Sequence, residues 1–251
     1  MKINQFSRRQ LLLKSCAIST TLLLAACHKA PTSTKDPTNY TSGDKSLSLQ
    51  FINVPPTNGQ APTGLVVCLH GFGSNSKDLA PFAPVLNLPT SQFLFPDAPY
   101  PHPRIPGGRM WYNLESQDYQ GLTTSRQQLI DWLKSLESST GIPLSRTVLS
   151  GFSQGGAMTL DVGLTLPFAG LVSLSGYMHS KPQSIPGKSL PPVLIVHGRQ
   201  DQVVSLGAAQ RARDSLTALG VAVKYQEFDM GHTIIPEVLA VMHSFILDVM
   251  K

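Results

Sequence analysis

Residues 147–158, Thr147-Val148-Leu149-Ser150-Gly151-Phe152-Ser153-Gln154-Gly155-Gly156-Ala157-Met158, contain the strongest structural signal in this chain. A β-branched and aliphatic run leads into Gly-x-Ser-x-Gly, and small and apolar residues at helical spacing follow. This order predicts a strand, a tight turn carrying Ser153, and a helix that begins near Gln154, which together form a nucleophile elbow. The free N–H groups and the positive end of the helix dipole would point at Ser153. The serine is therefore a candidate nucleophile, and the alternative is a glycine-rich β–α turn with an ordinary serine.

Strand-like and helix-like segments alternate on both sides of this elbow. Strands are expected over residues 46–54, 64–69, 92–95, 171–174, 192–196 and 221–228. Helices are expected over residues 76–86, 122–136, 205–220 and from 236 onward, the first of them short or broken because of Pro81 and Pro84. The proline-rich residues 96–109 are expected to form a long ordered loop. The alternation predicts an α/β fold with a doubly wound, mostly parallel sheet. The segment after Ser175 is too short for a long helical insertion, so no large lid is expected.

The composition argues against a nucleic-acid partner. The chain has 251 residues, of which 41% are hydrophobic and 14% charged, so a large core is feasible. Four of its basic residues lie in the first 26 positions, where there are no acidic ones. The remaining residues are almost neutral, so the net charge of +5 belongs largely to the amino-terminal segment.

That amino-terminal segment reads as an export signal. Arg8 and Arg9 precede a short apolar region, as in a twin-arginine signal, and Leu24-Ala25-Ala26-Cys27 is similar to a bacterial lipobox. We therefore expect a signal peptide over residues 1–26, a flexible Pro/Thr/Ser/Lys-rich tether over 27–45, and a catalytic domain over 46–251. Lipidation of Cys27 would place the protein outside the cytoplasm, anchored on the periplasmic side of a membrane or at the cell surface. A plain secretory signal is the alternative.

The three cysteines predict neither a disulfide nor a metal site. Cys16 lies in the removable segment and Cys27 is the lipidation candidate, which leaves Cys68 inside an apolar run as a buried core residue. No metal ion and no cofactor are expected.

A serine nucleophile needs a base, and seven histidines are available. His232 follows the last predicted strand in a short Met-Gly-His loop that can bring its ring over Ser153. His70 and His197 each end a strand and precede a glycine, which is typical of structural histidines. Asp201 follows the strand at 192–196, and the order Ser153, Asp201, His232 is that of the α/β-hydrolases. Asp161 lies two turns into the elbow helix and Asp229 is expected to face solvent, so neither suits the role.

The oxyanion formed on attack needs preorganised donors. The backbone N–H of Gln154 follows the nucleophile, and the backbone N–H of Phe72 lies in the glycine-containing loop after the 64–69 strand. Trp111 and Tyr112 either wall an acyl pocket or pack the proline-rich loop onto the domain; Trp111 is the candidate substrate contact. Arg109 is expected to tie that loop rather than to bind an anion.

Six motifs in order resemble the phospholipase/carboxylesterase family of α/β-hydrolases, over roughly residues 47 to 250. The matching segments are LHGFGSN (69–75), FPDAP (95–99), GGRMWY (107–112), GFSQGGAM (151–158), HGRQDQVV (197–204) and MGH (230–232). The resemblance implies hydrolysis of carboxylic esters, extending to thioesters or lysophospholipids, without metal or cofactor. Ser153, Asp201 and His232 match its triad, and Phe72 and Gln154 its oxyanion hole. Ser205 departs from the proline of many members, and the lipoprotein-type leader departs from a mostly cytosolic family, which counts against a protein-thioesterase role.

The leading hypothesis is a serine carboxylesterase that acts through an acyl-enzyme on short- to medium-chain esters. A peptidase or polyester depolymerase of the same fold, and a non-catalytic surface lipoprotein, are the alternatives. The sequence does not determine the oligomeric state.

Overall fold

We analysed a computed structural model, which describes residues 49–116, 118–182 and 189–251. The expected signal peptide, the tether and the lipidation candidate Cys27 lie outside the described residues, and so does His28.

A seven-stranded sheet forms the centre of the domain, with strand order β1-β3-β2-β6-β7-β8-β9. Its strands are β1 (Phe51–Val54), β2 (Gly64–Leu69), β3 (Ser91–Pro96), β6 (Thr147–Phe152), β7 (Gly170–Leu174), β8 (Val193–Gly198) and β9 (Val223–Phe228), and a separate pair consists of β4 (Tyr100–Pro101) and β5 (Arg109–Met110). Strand β1 pairs antiparallel with β3 at one edge, and the other neighbours in this sheet are parallel. The carboxyl ends of β2, β6, β8 and β9 therefore face the same way, which places the predicted site residues along one edge.

Helices cover both faces of the sheet, as expected for a doubly wound fold. They are α1 (Ser76–Leu79), α2 (Phe82–Leu86), α3 (Leu122–Thr140), α4 (Gln154–Gly163), α5 (Leu206–Ala218) and α6 (Pro236–Val249). Alternate residues of β2 enter two separate cores: Val67 packs in the core that contains residues of α3, α4 and α5, and Val66 in the core with α1, α2 and α6. This two-sided burial explains why β2 is continuously apolar in sequence.

The predicted elements match the structure, with small differences. Residues 76–86 form two short helices, which confirms the broken helix expected there; Pro81 is the N-cap residue of α2, and Pro84 lies within its first turn. Helix α3 continues to Thr140 and ends at Gly141, which adopts a left-handed conformation with φ 73°. Ser205 occupies the N-cap position of α5 but makes no capping hydrogen bond with its side chain.

The proline-rich loop is ordered, as expected, and it contains a short sheet that the sequence does not indicate. Residues Tyr100 and Pro101 pair antiparallel with Arg109 and Met110, so the loop contains the two-stranded sheet β4–β5. Two residues in each strand are too few for an alternation pattern, so no periodicity in the sequence indicates this sheet.

The predicted absence of a long helical insertion after Ser175 agrees with the described parts of the β7–β8 connection, which contain no helix. Across the described ranges, no helix combines the length and apolar character needed to cross a bilayer. The same residues contain no group of three or more side chains suited to hold a metal ion. Cys68 is buried, and burial raises the pKa of its thiol to about 12.

Candidate active site

The elbow after β6 holds Ser153 in a strained backbone conformation. Ser153 has φ 54° and ψ −115°, and helix α4 begins at the next residue. A Cβ atom added to Gly151 would lie 2.2 Å from the Gly155 carbonyl oxygen, and one added to Gly155 would lie 2.2 Å from the Leu69 carbonyl oxygen. Both positions therefore require glycine, and the tight turn lifts the serine hydroxyl to the carboxyl edge of the sheet.

Ser153, His232 and Asp201 form one hydrogen-bonded row at this edge. The Nε2 atom of His232 lies 2.9 Å from Ser153 Oγ, and its Nδ1 atom lies 2.7 Å from Asp201 Oδ2. An ionised carboxylate only accepts hydrogen bonds, so His232 carries its proton on Nδ1 and donates it to Asp201. The unprotonated Nε2 then accepts the serine hydroxyl, which is the orientation that general-base catalysis needs.

Asp201 is held as a carboxylate by its surroundings. Its side chain is fully buried, and Oδ1 accepts hydrogen bonds from the backbone N–H groups of Val203 at 2.8 Å and Val204 at 2.9 Å. Burial by itself raises the pKa of Asp201, but the hydrogen bond and charge of His232 and the two backbone donors outweigh it, and the pKa is lowered. Asp201 therefore stays ionised beside the imidazole.

The other candidate bases and acids have structural contacts. His70 Nε2 accepts the Ala98 backbone N–H at 3.0 Å, and His197 Nε2 lies 2.9 Å from the Val204 carbonyl oxygen. Asp161 pairs with Arg126 at 2.7 Å, away from the elbow. The largely exposed Asp229 pairs with Arg199 at 2.9 Å.

The loop after β2 lies directly beside Ser153. A Cβ atom added to Gly71 would be 3.4 Å from Ser153 Cβ. His70 donates Nδ1–H to the Gly71 carbonyl at 2.7 Å, and this carbonyl belongs to the same peptide unit as the Phe72 N–H. In a trans peptide the N–H points opposite to the carbonyl, so this bond fixes the direction of the Phe72 donor. Among the described residues, neither the Phe72 N–H nor the Gln154 N–H has a hydrogen-bond acceptor.

Trp111 is buried against the loop after β2, and Arg109 is partly buried. Trp111 is 0% exposed, and its surroundings match the packing alternative; its role as a substrate contact stays a prediction. Arg109 ties the proline-rich loop, as expected, because its guanidinium donates to the Ala98 carbonyl at 2.8 Å and the Pro99 carbonyl at 2.9 Å.

A small apolar cavity lies in the core near the site, and Ser153 and His232 are not among its lining residues. It is bounded by side chains of α1, α2, α6 and the sheet, and it reaches Phe152 and Ile234, which neighbour Ser153 and His232 in sequence. The Phe152 ring also packs on the His232 imidazole, with 4.8 Å between ring centroids. Phe152 is therefore the residue that connects this cavity to the Ser153–His232 pair.

Sequence reasoning missed two sets of contacts around the site. The first is the buried side chain of Gln154, which accepts the Trp111 N–H and donates to the Tyr112 carbonyl. The second is a buried cluster in which Tyr112 OH lies 2.7 Å from His179 Nε2, and His179 Nδ1 lies 3.6 Å from Asp161 Oδ2. The only sequence signal for the first was a long polar side chain at the start of an otherwise apolar helix.

Comparisons with known proteins identify the family of this chain. A family model described as phospholipase/carboxylesterase matches residues 54–250. An acyl-protein thioesterase 1 of Neurospora crassa is 30% identical over 213 residues, which cover 74% of this chain and 86% of the relative. An acyl-protein thioesterase 1 of Mycosarcoma maydis is 28% identical over 230 residues, which cover 79% of this chain and 96% of that protein.

Solved structures give the same result. The crystal structure of esterase PE8 is 31% identical and superposes with a TM-score of 0.73, covering 82% of this chain and 100% of that one. Acyl-protein thioesterase 2 of Zea mays, at 23% identity, covers 81% of this chain and 100% of that one with a TM-score of 0.65, and it supports the fold alone.

Proposed function

This chain belongs to the phospholipase/carboxylesterase family of α/β-hydrolases and is an ester hydrolase, and from that premise we propose that Ser153, His232 and Asp201 are its catalytic residues. The observation that carries the proposal is the continuous row from Asp201 Oδ2 through His232 to Ser153 Oγ, with contacts of 2.7 Å and 2.9 Å. In this row each atom already has the donor or acceptor role that acyl transfer requires.

In the acylation step Ser153 Oγ attacks the ester carbonyl carbon while His232 Nε2 takes the hydroxyl proton. Asp201 accepts the Nδ1–H bond and stabilises the imidazolium that forms. The negative charge moves to the former carbonyl oxygen, which accepts from the Phe72 and Gln154 N–H groups. Loss of one such donor typically costs on the order of 10²–10³ in rate.

Collapse of this intermediate breaks the bond to the alcohol, which takes the proton from His232 as it leaves. Water then attacks the acyl-enzyme, with His232 again accepting a proton, and releases the acid and free Ser153. The cycle needs no group beyond these side chains and the two backbone donors.

We propose short- to medium-chain carboxylic esters as substrates. The family supports carboxylic esters as the substrate class, and a small apolar cavity whose lining includes Phe152, the residue before Ser153, supports an apolar acyl group. The relatives named acyl-protein thioesterase make thioesters of the same acyl chains a second substrate class, and lysophospholipids a third.

Fluorophosphonate labelling and ester turnover test the catalytic assignment. Wild-type protein should be labelled at Ser153 and should hydrolyse p-nitrophenyl esters, whereas Ser153→Ala should lose both. Ser175→Ala is the matched control, because Ser175 also follows a strand with a positive φ of 48°. Retention of labelling in Ser153→Ala, or its loss in Ser175→Ala alone, would refute the assignment.

A chain-length series tests the substrate proposal. Oxygen esters from acetyl to hexadecanoyl, each with its matched thioester, should give the highest kcat/KM at short to medium acyl length. A maximum of kcat/KM at the longest chains would contradict the proposed acyl length. A higher kcat/KM for the thioester at every length would show that thioesters, and not oxygen esters, are the preferred substrates.

We also propose that Cys27 is lipidated and anchors the enzyme on the outer side of a bacterial membrane. The support is the twin-arginine-type leader and Leu24-Ala25-Ala26-Cys27, which lie outside the described residues. Mass spectrometry of the mature amino terminus should find a diacylglyceryl group on Cys27, and Cys27→Ala should move the protein to the soluble fraction. An unmodified Cys27 in membrane-associated protein would refute the anchor.

A further inference from the structure

We propose that Trp111 is a positioning residue that fixes the spacing between the two oxyanion-hole donors. The inference rests on the proposed function, because it assigns a role to the N–H groups of Phe72 and Gln154. It follows from two hydrogen bonds that one buried residue makes to two separate parts of the site.

The first bond reaches the loop that carries the Phe72 donor. The indole Nε1–H of Trp111 donates to the His70 carbonyl oxygen at 3.0 Å. His70 in turn holds the Gly71 carbonyl, the other end of the peptide unit whose N–H is the donor. Trp111 thus supports the loop at its root, two residues before Phe72.

The second bond reaches the residue that supplies the other donor. The backbone N–H of Trp111 donates to Gln154 Oε1 at 2.9 Å, and Gln154 Nε2 donates to the Tyr112 carbonyl at 2.8 Å. These two bonds clamp the Gln154 side chain between residues 111 and 112. They hold the first residue of α4 in one orientation, together with its backbone N–H.

Burial gives these contacts their specificity. Trp111, Gln154 and His70 are each 0% exposed, so water cannot replace a lost partner. The Trp111 carbonyl is also bound by the hydroxyl of Ser125 on α3. Trp111 is therefore anchored to a helix outside the site, and it transmits that fixed position to both donors.

Trp111→Phe and Gln154→Met test the role, because neither substitution removes the backbone N–H groups of Phe72 and Gln154. Trp111→Phe removes the indole N–H and part of the ring. Gln154→Met removes the amide that bonds residues 111 and 112, and the side chain keeps nearly the same length. A displacement of either donor by a fraction of an ångström should lower kcat/KM on the order of tenfold. Trp132→Phe is the matched control, because Trp132 is the other tryptophan, is also buried and packs on Phe51 with 5.6 Å between ring centroids.

An alkyl trifluoromethyl ketone separates positioning from general loss of structure. Ser153 Oγ adds to its carbonyl carbon, the hydroxyl proton passes to His232, and the new alkoxide occupies the oxyanion hole. Its affinity should fall in parallel with kcat/KM in both variants, with KM changed less than threefold and active sites counted by fluorophosphonate labelling. The affinity in Trp132→Phe should stay at the wild-type value.

Ketone affinity and kcat/KM per active site within twofold of wild type in Trp111→Phe or Gln154→Met would overturn the role of Trp111. An equal loss of affinity in Trp132→Phe would also overturn it, because the effect would then come from any buried indole. Failure of wild-type protein to label at Ser153 would instead refute the proposed function, so the two failures are distinguishable.

Discussion

The described part of the chain contains two rows of carboxylate, imidazole and hydroxyl, and we propose that only one of them is catalytic. The first is Asp201–His232–Ser153 at the carboxyl edge of the sheet. The second is Asp161–His179–Tyr112, which continues from Tyr112 OH to the hydroxyl of Tyr177 at 2.6 Å.

The rows differ first in how the imidazole is oriented. His232 Nδ1 lies 2.7 Å from Asp201, whereas His179 Nδ1 lies 3.6 Å from Asp161, which exceeds a hydrogen bond. Asp201 receives two backbone donors as its further partners, and Asp161 receives Arg126. The carboxylate of the second row therefore serves an ion pair, and that of the first row serves the imidazole.

They differ more in the hydroxyl. Ser153 is partly exposed on a strained turn, with two unpartnered backbone N–H groups beside it in the described structure. Tyr112 is 0% exposed, and burial, with Tyr177 and Tyr119 nearby, raises the pKa of its phenol well above 10. The two rows share an acid, an imidazole and a hydroxyl, so access for a carbonyl and donors for its oxygen are what distinguish the row that we propose as catalytic.

The largest expected effect comes from the paired substitutions His232→Gln and His179→Gln. His232→Gln should lower kcat/KM by about 10⁴–10⁶-fold, because the serine loses its base. His179→Gln should stay within about threefold per active site, since His179 contacts none of the reacting atoms. Steady-state kinetics on a p-nitrophenyl ester measures both.

Equal losses in the two histidine variants would break the comparison, because the second row would then act in catalysis. Thermal unfolding of each variant serves as the control, so that a loss caused by unfolding is separated from a loss of the base.

The sequence predicted the fold and the first row for the same reason. Parallel strands end at one edge, so Ser153, Asp201 and His232, each just after a predicted strand, are brought together whatever the details of the helices. Alternating and continuous apolar patterns located the strands of the main sheet to within a few residues, except that β1 begins at Phe51 and not at residue 46. The short pair β4–β5 was not predicted, because two-residue strands are too short to show a periodic pattern.

The contacts of Trp111, Tyr112 and His179 were beyond sequence reasoning. Trp111 meets Gln154 across 43 positions and His70 across 41, through a loop whose path no periodic pattern specifies. The sequence likewise does not indicate that His179 lies near Asp161, which comes from an earlier helix. Chain order identifies residues at strand ends, but it does not show which side chains meet across a loop.

The second-largest effect should come from Asp201→Asn and Asp161→Asn. Asp201→Asn should lower kcat/KM by about 10³–10⁴-fold, because an amide no longer selects the Nδ1–H form of His232 or stabilises its imidazolium. Asp161→Asn should leave kcat/KM nearly unchanged and lower the free energy of unfolding by about 1–3 kcal/mol, since Arg126 loses its partly buried partner. Kinetics and urea unfolding on both variants separate the two roles, and a reversed pattern would contradict them.

The smallest effect concerns stability at alkaline pH, where the two hydroxyls should again differ. The pKa of Tyr112 is raised in the folded protein, whereas in the unfolded chain its phenol loses a proton near pH 10. Above about pH 10 the unfolded state therefore binds fewer protons than the folded state, and the free energy of unfolding falls as pH rises. At pH 8, Tyr112→Phe should lower the free energy of unfolding by about 1 kcal/mol, because the substitution removes the hydrogen bonds of the hydroxyl. Above pH 10, it should make the fall in the free energy of unfolding less steep. Ser153→Ala should leave that slope unchanged, because an alcohol does not titrate in this range. Urea unfolding from pH 8 to 11 measures both slopes, and an unaltered slope in Tyr112→Phe would show that the buried phenol does not control the alkaline decline.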